Sequence, residues 1–161
     1  MSKYPILALA AIMMALGCPA WAAPQDELVG SITDVRGPVH LVRAGNEVIA
    51  EKGARLYSAD VLRTDQGASV GVVLRDDTTL SLGPASELRM SEFQFNPDQG
   101  ILGMTLTMVK GTLVYVSGQI AKLAPGSAQI ETPAGVAAVR GTELLVEVPA
   151  SKAAKPTEKT K

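Results

Sequence analysis

The sequence predicts an all-β protein of short strands in a single domain, arranged either as a β-sandwich or as an irregular β-solenoid. Between Glu27 and Val148 apolar and polar residues alternate, as in Ser69-Val70-Gly71-Val72-Val73-Leu74, Thr79-Leu80-Ser81-Leu82, Leu88-Arg89-Met90 and Met104-Thr105-Leu106-Thr107-Met108, and a period of two is the mark of a strand with one buried face. These stretches are broken by Arg36-Gly37-Pro38, Ala44-Gly45-Asn46, Asp65-Gln66-Gly67, Asp76-Asp77, Gly83-Pro84, Asn96-Pro97-Asp98, Lys110-Gly111 and Pro125-Gly126, whose residue types favour turns. A third regularity is a spacing of eight residues linking Val72, Leu80 and Leu88, then Leu74, Leu82 and Met90, and again Leu106 and Val114. An antiparallel meander produces that spacing, and so does a solenoid with three short sides per coil. No stretch of the mature domain reads as a helix.

The chain opens on an export leader, residues 1–22. Lys3 supplies the positive start, Ile6 to Leu16 is an unbroken apolar run of 11 residues, Gly17 and Pro19 end it, and Ala20-Trp21-Ala22 gives the small-x-small pattern behind which a signal peptidase cuts. The run is too short to span a membrane, which takes about 20 apolar residues. A periplasmic protein without a transmembrane segment after cleavage is expected. The alternative places Cys18 in a lipobox, Ala15-Leu16-Gly17-Cys18, which would anchor the protein through a lipid; Ala15 and Leu16 match that pattern poorly.

Cleavage after Ala22 leaves 139 residues without a cysteine, so stability in an oxidising compartment has to come from a packed core. The β domain is expected over 23–148. Beyond it Pro149 to Lys161 holds four lysines against one glutamate and reads as a disordered tail.

Composition narrows the function by subtraction. The whole chain sums to a net charge of −1, which gives no reason to expect nucleic acid as a partner. His40, at an alternating position in Val39-His40-Leu41-Val42, is the single histidine; it reads as a residue of a strand's exposed face. With no second histidine, no mature cysteine, no Gly-x-Ser-x-Gly elbow and no phosphate-cradling loop, no nucleophile, metal or cofactor site is expected. Asp76 and Asp77 read as turn residues bonding their own backbone rather than as calcium ligands, which would need about six or more oxygens. A carboxylate-pair hydrolase has nothing in the sequence to select its pair.

Three pieces of sequence in order carry a family resemblance. They are Gly53-x-x-Leu56-x-x-x-Asp60-x-Leu62-Arg63-Thr64, then Leu74-Arg75-Asp76-Asp77-Thr78-Thr79-Leu80-Ser81-Leu82-Gly83-Pro84-x-Ser86-x-Leu88, and Glu131-Thr132-Pro133 with Val139-Arg140-Gly141-Thr142. Over residues 29–148 the chain resembles the periplasmic domain of the FecR family. The best-known members relay a signal from an outer-membrane iron-siderophore transporter to a cytoplasmic sigma factor. In this sequence the cytoplasmic helices, the spanning helix and the further lobe of those transducers have no counterpart. The resemblance therefore implies a stand-alone sensing or protein-binding module with an envelope protein as partner, and not an enzyme; a passive structural part of an envelope assembly is the alternative. Oligomeric state and strand pairing stay open.

The residues singled out are Asp60, Arg63, Thr64, Phe93, Phe95, Arg140, Gly141 and Thr142. Arg140 is expected between apolar strands, either semi-buried against a carboxylate such as Asp60 or free to meet an anion or a partner, with Gly141 allowing an unusual backbone angle that aims it. Phe93 and Phe95 share one face beside Asn96-Pro97-Asp98 and serve either as a cap on the core or as an interaction edge.

Overall fold

The structure is a computed structural model that describes residues 27–140 and 143–149. The expected leader, Gly141 and Thr142, and the lysine-rich segment from residue 150 onward lie outside the described residues.

The alternating stretches all become strands: β1 (Leu28–Arg36), β2 (Val39–Arg43), β3 (Asn46–Ile49), β4 (Arg55–Tyr57), β5 (Val61–Thr64), β6 (Ser69–Leu74), β7 (Thr79–Leu82), β8 (Glu87–Asn96), β9 (Ile101–Val116), β10 (Ala128–Thr132), β11 (Gly135–Ala138) and β12 (Glu143–Val148). They form one strongly curled, twelve-stranded sheet. Its spine is a long ribbon in which β7 and β8 run one after the other along β9, with Leu82 opposite Leu113 and Glu87 opposite Lys110. The ribbon folds at its centre, so that each half seeds one layer. The first layer runs β4-β1-β6-β7-β9-β12 and the second β3-β2-β5-β8-β9-β10-β11.

Every strand pair but β9 with β10 is antiparallel. Of the two architectures left open by the sequence, the curled antiparallel one is therefore the fold, since stacked solenoid coils would pair in parallel.

The inward faces meet in one core that includes Ile32, Leu56, Leu62, Leu80, Leu82, Leu88, Met90, Leu106 and Leu113, each at most 1% exposed. Where the ribbon bends, the buried parity of β9 changes: Met104, Leu106 and Met108 point inward before Gly111, and Leu113 and Tyr115 after it. Gly111 makes the switch with φ of +94°, a backbone region that a Cβ disfavours. The eight-residue spacing of Leu106 and Val114 is thus coincidental, because Val114 is not a core residue. Val72 and Leu80 do face each other across the β6–β7 hairpin, while Leu80 and Leu88 follow one another along the ribbon. β8 makes a similar change at a bulge after Met90, which brings Phe93 inward.

Among the described residues one short α-helix, α1 (Gln119–Leu123), and a 3-10 turn at Pro97–Gln99 interrupt the strands, and α1 corrects the expectation of none. Five residues are too few to display a helical period, and the turn is held by contacts from elsewhere in the chain. No helix among the described residues is long and apolar enough to cross a membrane.

Candidate functional site

Asp60 occupies the crossover from β4 in the first layer to β5 in the second and is 1% exposed. Its carboxylate is met by the Arg43 guanidinium through Nε at 2.8 Å and Nη2 at 2.7 Å, and by the Tyr57 amide at 2.8 Å. Arg43 also donates to the Arg55 carbonyl at 2.9 Å and lies 4.5 Å from the centre of the Tyr57 ring. A forked cation between a carboxylate, a carbonyl and an aromatic face suits arginine specifically. Because Arg43 ends β2, one strand in from the outer edge of the second layer, and Arg55 begins β4, the outermost strand of the first, this cluster latches the two layers together near their open sides. The expectation that Asp60 meets Arg140 is corrected: Arg43 holds Asp60, and Arg140 is exposed.

Thr64 belongs to a second buried cluster, at the bend of the ribbon. Its hydroxyl donates to the Gly83 carbonyl at 2.7 Å and accepts the Ser86 amide at 2.9 Å, and the Ser86 hydroxyl accepts the Thr112 amide at 3.0 Å. Gly111 passes so close that a Cβ there would lie 2.4 Å from the Ser86 Cα. Arg63, one residue earlier, points outward and pairs with Glu47 at 3.4 Å and Glu87 at 3.3 Å. His40 lies beside it on the outer face, with Nδ1 at 2.9 Å from Glu47 and Nε2 at 3.6 Å from Asp65. Exposed pairs of this kind contribute little to stability.

Asp76 is fully buried and accepts from its own turn, through the Thr78 amide at 3.2 Å and hydroxyl at 2.7 Å. It reaches further than a turn residue does, taking the Ile120 amide at 3.2 Å and so fixing the start of α1. Asp77, with φ of +64°, meets Gln119 at 2.7 Å. Gly118 abuts this turn, where a Cβ would come within 2.3 Å of the Thr78 nitrogen. Tyr115 packs alongside with its hydroxyl buried and without a hydrogen bond of good geometry. Burial pushes the Tyr115 pKa up, the nearby Thr78 hydroxyl opposes that shift, and the Asp76 charge adds to it.

Phe93 is 3% exposed and Phe95 is partly buried against the core, with ring centroids 6.5 Å apart and tilted by 45°. The pair closes one end of the core. Among the described residues no three histidine, cysteine, aspartate or glutamate side chains gather as a metal site would need.

β10 and β12 lie end to end along the outer side of β9, and β11 pairs with β10 alone among the described residues. All four residues of β11 are exposed, Val136 by 61%. Two clefts flank this hairpin. One, of about 330 Å³, sits where β10 and β12 converge and is lined by Val109, Pro133, Ala134, Glu147 and Val148 among others. The other, of about 200 Å³, includes Ala138, Arg140, Glu143 and Leu144, along the path from β11 to β12. Arg140 therefore stands at the exit of an open edge strand, a position that only the strand pairing reveals.

A family model described as FecR protein matches residues 60–157. The chain belongs to the FecR family. That family is generally a sensing and signal-transduction module of a non-enzymatic, regulatory type. The FecR match begins at Asp60, the latch residue, and takes in β5 to β12; β1 to β4, which complete both layers, precede it. Neither a curated protein nor a solved structure matches the chain.

Proposed function

We propose that this FecR-family chain is a non-catalytic, protein-binding sensor module of the bacterial periplasm, and that it takes its partner on the edge formed by β11 and Arg140. The observation that carries this reading is the contrast among the edges. β3 carries Glu47, which is engaged with His40 and Arg63; β4 has three residues, one of them Arg55; β12 shows Glu143 and Glu147 and is followed by Pro149. Charge, shortness and proline are the usual guards against strand addition. β11, Gly-Val-Ala-Ala, carries neither charge nor proline along its four residues. An unguarded row of backbone donors and acceptors suits a partner that adds a strand, with a cation at its end to fix register.

Members of the family that act as sensors do so by contact with another protein, and Asp60, Thr64 and Asp76, among the polar residues that carry the resemblance here, are spent on the fold. The test is site-specific photo-crosslinking in cells from position 136, with position 122 on α1 as control. One species, either another envelope protein or a second copy, is expected from position 136 and not from 122, and Arg140→Glu should abolish it. Equal capture from both positions, or none from position 136, would remove the support for this reading.

A further inference from the structure

We infer that the partner this edge fits is a second copy of the chain, joined β11 to β11 in antiparallel register about a two-fold axis. The inference rests on the reading of β11 as the binding edge, and goes beyond it by naming the occupant. Closed two-fold pairing is the usual way for identical chains to satisfy a self-complementary surface.

A two-fold axis perpendicular to the sheet maps each face onto itself, so it passes through a pair of identical residues. With Ala137 opposite Ala137, Val136 of each copy faces Ala138 of the other, and no charge meets a like charge. The small side chains of β11 leave the two backbones free to approach to the spacing of a ladder. β12 lacks this property: the same operation through Leu145 sets Glu143 against Glu147 of the second copy twice, and like charges directly opposite are unfavourable.

The ends of the paired strands supply the specific contact. In this register Arg140 of one copy comes against Ala134 of the other. Ala134 lines the 330 Å³ cleft that also contains Glu147. Arg140 and Glu147 are both exposed in the single chain, so pairing brings a guanidinium to a carboxylate at each end of the interface. The two charges sit on different elements, and symmetry makes the contact twice.

Sedimentation velocity on the mature chain over a range of concentrations tests this. A dimer is expected. Arg140→Glu and Glu147→Arg should each weaken it by about tenfold or more, since a like-charge contact then appears twice, and the double variant should recover most of the loss. Both residues are exposed, and melting curves verify that each variant is folded. A monomer at every concentration, or a dimer indifferent to both substitutions, overturns the inference. If the chain is monomeric while position 136 still captures a different envelope protein, the edge remains a binding site and only its occupant was misassigned. If position 136 captures nothing, the edge itself is misread.

Discussion

At Asp60 a carboxyl group almost wholly removed from water is held by one forked cation and one amide, and the two partners of the pair are unequally dependent on each other. Arg43 keeps part of its side chain in solvent, 40% exposed against 1% for Asp60. Arg43→Met strands the buried carboxylate and should cost about 3–5 kcal/mol, whereas Asp60→Asn leaves a solvated guanidinium and should cost less, about 1–3 kcal/mol; urea unfolding of the two variants checks the order. Tyr115 makes a prediction in pH. A phenol whose pKa is raised on folding stays protonated in the native state while the unfolded chain has begun to ionise near pH 10, so the unfolded state binds fewer protons and stability falls as pH rises through that range. Tyr115→Phe should flatten the loss of melting temperature above about pH 10 while leaving the curve at neutral pH with the same shape. At this scale the sequence marks residues better than partners. Asp60, Thr64 and Asp76 stand out as polar residues at strand ends, but what they touch depends on which strands are neighbours. Arg43, which supplies the latch, carries no local sign of its role, because its partner lies 17 positions away across a change of layer.

The folded ribbon is the element on which the rest depends. Its bend needs a residue that both adopts positive φ and lets a neighbouring backbone approach, and Gly111 does both. Gly111→Ala should therefore cost about 3 kcal/mol or more, from backbone strain and from displacement of Ser86. Gly45→Ala is the control: φ is +81° there, with nothing within 4 Å of the added carbon, so about 1 kcal/mol is expected. Melting temperatures of the pair separate the steric part from the conformational part. Strands were legible in the alternation because one face of each is buried, and turns in their glycines and prolines, except at Lys110-Gly111, where β9 runs on without the expected break. The parity change at Gly111, the bulge after Met90 and the single turn of α1 were not, since each is decided by a contact from another element.

Across the whole molecule Asp60, Thr64 and Asp76 of the family pattern hold the fold together, at the latch, at the bend and at the start of α1. In the proposed reading, recognition is left to backbone and to a few exposed side chains at one edge. This division explains why Arg140, Phe93 and Phe95 read alike in the sequence yet part in the structure: two rings turn to the core and the arginine stays in water. It also explains why the candidate edge was illegible beforehand, because Gly135-Val136-Ala137-Ala138 is distinguished by what it lacks and by having no second neighbour among the described residues.

The most direct test of this division compares crosslinking from position 136 in Arg140→Glu and in Asp60→Asn, each scaled to the fraction folded as read from its own unfolding curve. Arg140→Glu is expected to keep its melting temperature and lose capture, while Asp60→Asn loses melting temperature and keeps capture per folded molecule. Capture lost per folded molecule in Asp60→Asn, with Arg140→Glu unaffected, would contradict it and return the binding role to the latch.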